Sequence, residues 1–226
     1  MQLYACTPMN LSASAPGTMT HKTYTVLPDI HAGMLTPDNL ENLAALARSY
    51  RIPRMKITSA QRIAVLGLAP DDLQALQAEL GITSSPPHTR NRVHYVQACP
   101  GSTWCKHGVG DALTVGRRLE QLELAGPLPA KVKVGVSGCR MCCCESWVRD
   151  VGLAAEKKGW RLSFGGNGAG RPRIGDLVAQ GLSDDEAVTL VKKTLNYYIQ
   201  EARCKTRSAR FMERVGIDTL KKALLG

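Results

Sequence analysis

SGCRMCCCESWVRDVGL, residues 137–153, places four of the chain's eight cysteines within residues 139–144. Thiols this dense serve a disulfide network, a zinc site, a redox switch or an iron–sulfur cluster. Cys142, Cys143 and Cys144 are consecutive, and neighbouring cysteines rarely reach the Cα separation and dihedral that a disulfide needs. The opening MQLYACTPMN has no basic stretch followed by an apolar run, so no secretory leader is expected. No window approaches a run of about eighteen apolar residues, so no membrane span is expected either. The expected location is cytoplasmic, where clustered cysteines more often hold metal or do redox chemistry.

Upstream, CPGSTWC separates Cys99 and Cys105 by five residues, and CRMCC separates Cys139 and Cys143 by three. Zinc ligands usually stand about two to four residues apart, often with histidine. His94 and His107 keep zinc open as an alternative. Four thiolates from two loops suit a cubane iron–sulfur cluster better. Small buried hydrophobes would account for one or two cysteines, but not for two spaced pairs in Gly/Pro-rich loops.

The chain has 226 residues, 29 Lys+Arg against 19 Asp+Glu, and a net charge of +10. A basic balance points to nucleic acid or another polyanion. With two Phe, three Trp and no recognisable nucleic-acid motif, a small polyanionic cofactor accounts for the charge equally well, and no nucleic-acid partner is expected.

Residues 1–20 read as a loose arm. TYTVLP (23–28) is a short strand; Thr36 caps a helix that has Pro37 at its first position and LENLAALARSY along its apolar face. Met55–Thr58 and Ile63–Leu68 alternate as strands about a turn at Ser59–Gln61. Ala69-Pro70-Asp71-Asp72 starts a helix that Gly81 ends. This makes one small unit over residues 21–84, and TSSPPHTRN is a linker. A second domain, residues 92–226, should contain a helix over Asp111–Leu124 and a strand over AKVKVGVSG (130–138) that delivers the cysteine run. WRLSF (160–164) is a further strand, Ser183–Glu186 is a capping box for a helix to about Cys204, and a last helix follows Val215. Trp104, Cys6 and Cys204 read as packing or surface residues. GGNGAG (165–170) lacks dinucleotide-fold spacing and runs into Arg-Pro rather than a helix.

On these residues the sequence resembles the sirohaem nitrite and sulfite reductases. Ser137-Gly138-Cys139, Cys143 and Asp150-Val151-Gly152-Leu153 match that family's signature, and Cys99-x5-Cys105 is its upstream pair. TVLPDIHAGMLTPDNL and KITSAQRIAVLGL look like its ferredoxin-like half-domain. LPAKVKVGVSGC looks like its lysine-bearing strand; FGGNGAGRPR and NYYIQEARCKTRSARFMERVG look like its C-terminal part. The chain is most similar to the small single-copy members, the low-molecular-weight assimilatory-type sulfite reductases of sulfate-reducing bacteria. The resemblance implies an α+β fold: a ferredoxin-like half-domain followed by an α/β domain that binds sirohaem and a [4Fe–4S] cluster.

What it implies about the site is specific. Cys99, Cys105, Cys139 and Cys143 would hold the cluster, and Cys143 would also ligate the haem iron. Lys131 and Lys133 match the substrate-binding lysine pair, and alternation on a strand sends both to one face. Arg92 and His94 stand near the place of a further anion-binding arginine, His94 being able to donate a proton near neutral pH. Tyr24 stands where relatives carry another arginine. Lys56, Thr58, Gln61, Arg62, Gly165, Gly166, Asn167, Arg171 and Arg173 fall in segments that resemble cofactor-holding loops. The two glycines would let backbone lie close to the macrocycle.

The implied reaction is the six-electron reduction of sulfite to sulfide, with nitrite to ammonia as the near alternative. An iron–sulfur electron carrier or sensor without sirohaem is a third reading, against which the lysine pair speaks. No flavin or nicotinamide domain is recognisable, so a separate donor protein is implied; a ferredoxin-like acidic one suits the charge. The single copy carries both cluster and lysine motifs, which allows a monomer or a homodimer sharing its sites.

Overall fold

The computed structural model describes residues 24–28, 30–82, 91–93 and 95–226. The expected arm at 1–20, the linker at 83–90, Cys6 and His94 lie outside the described residues. The chain divides into two compact units.

In the first unit, β1 (Tyr24–Val26), β2 (Arg54–Ile57) and β3 (Ile63–Leu66) form an antiparallel sheet with β3 central. Helices α1 (Pro37–Ser49) and α2 (Pro70–Glu79) complete it. Thr36 begins α1 as the sequence predicts: its hydroxyl accepts from the Asn39 N–H, and the Asn39 side chain accepts from the Thr36 N–H. That reciprocal pairing satisfies two otherwise orphaned donors. Leu27, Ile30, Val65, Leu68 and Leu76 form the core, with Leu43, Leu46 and Leu73 packed against them.

The second unit is built on a five-stranded sheet in sequential order: β4 (Tyr95–Ala98), β5 (Lys133–Ser137), β6 (Val151–Glu156), β7 (Gly159–Phe164) and β8 (Asp176–Leu182). β4, β5 and β6 run parallel; β6, β7 and β8 alternate. Parallel neighbours need a crossover of about a dozen residues or more. Between β4 and β5 it carries α3 (Gly101–Trp104) and α4 (Ala112–Glu120). Between β5 and β6 it is the cysteine segment itself, with only a 3-10 turn at Ser146–Val148. Helices α5 (Asp184–Glu201), α6 (Ser208–Val215) and α7 (Ile217–Leu225) close the chain.

The expected strand over 130–138 is shorter, because Lys131 and Val132 precede the ladder. The expected last helix after Val215 is α7, whereas α6 just before it was not expected; Gly216, at φ +78°, separates the two. Strands β4, β6 and β8 went unassigned in the sequence. β4 and β6 are buried along nearly their whole length, so they lack the alternation that marks a half-exposed strand. Phe164, Tyr198 and Phe211 meet edge to face across 5.8 and 5.2 Å and anchor α5 and α6 to the sheet. Among the described residues, no helix is long and apolar enough to cross a membrane.

Candidate functional site

Both cysteine loops leave the C-terminal ends of parallel strands, Cys99 just beyond β4 and Cys139 just beyond β5. Glycines lock them together. The Val109 and Gly110 N–H groups both donate to the Gly138 carbonyl, at 2.7 and 3.1 Å, and the Ser102 N–H donates to the Gly110 carbonyl at 2.9 Å. A Cβ on Gly138 would lie 2.6 Å from the Gly101 Cα, and one on Gly108 2.3 Å from the Gly101 carbonyl carbon. Two thiol pairs far apart in sequence therefore share one backbone-fixed frame.

Within that frame the thiols differ. The Cys99 sulfur accepts from the Gly138 N–H at 3.0 Å. A hydrogen bond from the Cys144 thiol, aided by the Gly138 and Gly101 N–H groups and opposed by burial, brings Cys99 down to about 5. Cys144 is buried and moves the other way, chiefly because it donates to Cys99. Cys142 sits at φ +60° and its sulfur accepts from the Trp147 N–H at 3.4 Å. Cys143 is exposed. Its thiol is raised first by burial of its sulfur and then by the combined charge of Cys99, Cys139, Cys105 and Cys142. Cys99, Cys105, Cys139 and Cys142 thus all lie near enough to Cys143 to act on its thiol, and Cys99, Cys142 and Cys144 are hydrogen-bonded to the protein.

Among the described residues, no three His, Cys, Asp or Glu side chains are close enough to share one metal ion. A single zinc needs its thiolates about 2.3 Å from one point. A cubane gives each thiolate its own iron and tolerates a wider set. The donor chemistry, all thiol, and its spread fit the cluster and not zinc.

The loop that carries Cys143 is pinned to the sheet by two buried hydroxyls. Ser146 donates to the Gly135 and Leu153 carbonyls at 3.0 and 2.9 Å and meets the Ser137 hydroxyl at 2.7 Å, which in turn accepts from the Cys144 N–H. Gly135 and Gly152 leave room for that turn: a Cβ would lie 2.3 Å from the Cys144 oxygen at the first and 1.7 Å from the Ser146 oxygen at the second.

At the opposite end of β5 stands a basic group. The Lys131 and Lys133 ammonium groups lie 5.6 and 5.9 Å from the centroid of the same Tyr95 ring, so the expected convergence holds although Lys131 lies ahead of the strand. Asp150, 2% exposed, accepts from the Lys133 N–H at 2.9 Å, from Arg207 at 3.0 Å and from the Ser208 hydroxyl. Burial, then Lys133 and Arg207, lower Lys131 below the ordinary lysine value; Asp150 opposes them. Arg207 and Arg149 each keep a buried Nε–H with no protein acceptor. Orphaned guanidinium donors beside paired lysines fit an anionic occupant, either sirohaem carboxylates or a small oxyanion. Sequence reasoning missed Arg207, Arg149 and Tyr95; the only signal was the resemblance of the segment around Arg207.

The other expected residues are placed as follows. Arg92 is exposed and paired with Glu123 at 3.2 Å. Lys56 is exposed on β2. Thr58 bonds Arg62 through both backbone and side chain, and Gln61 occupies φ +56° in that turn. Asn167 and Arg173 close the 165–173 loop: the Asn167 side chain donates to the Arg171 carbonyl at 2.8 Å, and Arg173 bonds the Gly165 carbonyl and Asp176 at 2.9 and 2.7 Å. Arg171 is exposed. Gly165 and Gly166, expected to let backbone lie close to a macrocycle, are also close-packed against protein. A Cβ would strike Met212 at 2.4 Å from the first and the Arg149 oxygen at 2.3 Å from the second. Trp104 and Cys204 are at the surface, as expected.

Two family models match the chain: a nitrite and sulphite reductase 4Fe-4S domain over residues 89–225, and a nitrite/sulfite reductase ferredoxin-like half domain over residues 18–81. The chain is 42% identical over 204 residues to the assimilatory-type sulfite reductase of Nitratidesulfovibrio vulgaris, covering 90% of this chain and 93% of that protein. It is 35% identical over 208 residues to the large subunit of the Escherichia coli NADH nitrite reductase, covering 90% of this chain but 24% of that one. Among solved structures, dissimilatory sulfite reductase I superimposes with a TM-score of 0.72 at 14% identity, over 89% of this chain and 68% of that one. The Mycobacterium tuberculosis NirA protein gives 0.65 at 23% identity, over 88% and 39%. These two likenesses establish the fold.

Proposed function

This chain belongs to the nitrite and sulfite reductase family, and from that premise we propose that it reduces sulfite to sulfide. The observation that carries the reading is the pairing on one sheet of a four-thiol frame at one end of β5 with the Lys131, Lys133 and Arg207 group at the other. When bound, a sirohaem and a [4Fe–4S] cluster would supply single electrons. Cys99, Cys105, Cys139 and Cys143 would hold the cluster, and Cys143 would also serve the sirohaem. Lys131, Lys133 and Arg207 draw in the dianion and offset negative charge as its S–O bonds break. Arg92, His94, Arg171 and, on the first unit, Lys56, Thr58, Gln61 and Arg62 are further proposed anion and carboxylate contacts. Sulfite is favoured over nitrite by the 42% match along nearly the full length of a sulfite reductase. We place the reaction in the cytoplasm, with electrons from an acidic ferredoxin-like protein.

Anaerobic purification, pigment extraction and an iron assay test this directly. An isobacteriochlorin with about five irons per chain, a cubane's four and the haem's one, is expected, with dye-driven turnover faster on sulfite than on nitrite. Faster nitrite turnover would reassign the substrate, and a cluster without tetrapyrrole would make the protein a carrier.

The lowered Lys131 sets a pH dependence. An ammonium whose pKa lies below 10.5 loses its charge, and its hold on an anion, at a lower pH than an ordinary lysine. The sulfite KM should therefore rise with an inflection on the alkaline side but below 10.5. Lys131→Gln should remove that inflection and lower kcat/KM by about a hundredfold; Lys131→Arg should keep the affinity and push the inflection out of range. An unchanged profile in Lys131→Gln would exclude Lys131 from the anion site.

A further inference from the structure

The Cys139 side of the thiol frame opens on a cavity of about 600 Å3 that the proposed chemistry does not use. Cys139, Val109, Arg140, Ala155, Lys157 and Lys158 line it, with Glu156 as its acid. Arg140 lies 3.7 Å from Glu156, so one cation is offset, and Lys157 and Lys158 at the β6–β7 turn leave the rim positive.

Sheet register fixes where this cavity lies. β5 and β6 run parallel, Val134 beside Val151 and Ser137 beside Ala154. The β6–β7 turn therefore projects from the same end as Cys139, whereas Lys133 and Asp150 mark the opposite end. Lys133 and Ser137 alone are separated by about 13 Å of strand. The cavity thus stands beyond the thiols on the side away from the anion-binding cations.

Apolar side chains are also exposed in the two cysteine loops: Trp104 is 74% exposed, Met141 75% and Val109 53%. Of these Val109 lines the cavity, and Met141 follows its Arg140 in the chain. Exposed apolar side chains beside charged ones are common in protein interfaces.

We propose that this cationic cavity is the docking surface for the electron donor, a small acidic one-electron carrier of the ferredoxin type, with Lys157 and Lys158 as its steering residues. The inference rests on the reductase reading and adds where the electrons enter. Charge complementarity selects the occupant: the chain carries +10 overall, and the rim holds three cations against one carboxylate. At each encounter the carrier is oxidised by one electron and the site beside Cys139 is reduced by one, with no bond made or broken. Six encounters serve one sulfite. Transient partners of this kind gain association rate from such rims more than they gain affinity.

The test compares the holoprotein with a Lys157→Glu/Lys158→Glu variant and a charge-matched control, Lys192→Glu/Lys193→Glu, on exposed positions of α5. The probe is a purified acidic bacterial ferredoxin, used reduced as donor and oxidised in calorimetric titrations at low and high salt. The expected result is a rise of about tenfold or more in ferredoxin KM for the first variant, with weakened salt-sensitive binding, unchanged turnover with reduced methyl viologen, and an unaffected control. Equal behaviour of wild type and variant, equal loss in the control, or no ferredoxin binding by the wild type would each overturn the proposal. Failure of methyl viologen to drive sulfite reduction in the wild type would count against the reductase reading instead, and the titrations would still decide the docking surface.

Discussion

Cys143→Ser abolishes sulfite turnover and removes the coupled cofactor spectrum, while Cys142→Ser and Cys144→Ser keep both: this is the result expected from three adjacent thiols in three different surroundings. Cys143 alone is exposed and feels the charge of all four neighbouring cysteines at Cys99, Cys105, Cys139 and Cys142. Cys142 turns away at φ +60°, with its sulfur occupied by the Trp147 N–H. Cys144 is 2% exposed and hydrogen-bonded to Cys99, a role that a serine hydroxyl can take over. Serine at 143 is a poor ligand for iron, so both iron content and absorption should fall. Iron content, the visible spectrum and dye-driven turnover of the three purified variants check this. If Cys142→Ser lost its iron and Cys143→Ser kept it, the ligand assignment would move by one residue.

Gly152→Ala should be the most damaging single methyl in the second unit. Its Cβ would lie 1.7 Å from the Ser146 oxygen and 2.6 Å from the carbonyl carbon, inside covalent-like range. Ser146 cannot yield, because its hydroxyl bonds the Gly135 and Leu153 carbonyls and Ser137. β6 cannot yield either, since β5 and β7 pair with it on both sides. A loss of about 4 kcal/mol or more is expected, a large share of the 5–15 kcal/mol typical of a whole domain. Denaturant melts of wild type, Gly152→Ala and a control, Gly168→Ala, measure it. A Cβ on Gly168 would make only a 3.4 Å contact with a Val148 methyl, so the control should melt like the wild type. A Gly152→Ala midpoint equal to the wild type would mean that the Ser146 turn is not rigid.

The same glycines show what was legible in the sequence. Capping residues announce themselves locally, so Thr36 and Ser183 located two helix starts. The cysteine spacing predicted a two-loop thiol frame because metal ligands constrain distance along the chain. Gly101 and Gly138 meet each other, and Gly110 meets Ala155 and Trp160, across segments far apart in sequence, and such contacts carry no local pattern. Arg207 meets Asp150 across fifty-seven positions, and no periodicity links two such residues. Arg92 was read from the family resemblance ahead of Cys99, and in the structure its charge is paired with Glu123. Gly165 and Gly166 were read as close-approach positions, but their protein neighbours Met212 and Arg149 were not legible, since sequence shows that a Cβ is missing and not what occupies its place.

The backbone lock between the two cysteine loops also makes each loop depend on the other for its shape. Gly138 accepts from the Val109 and Gly110 N–H groups and donates to the Cys99 sulfur, so peptide groups and one thiol together tie the loop after β4 to the loop after β5. A change in either loop is therefore felt by both thiol pairs.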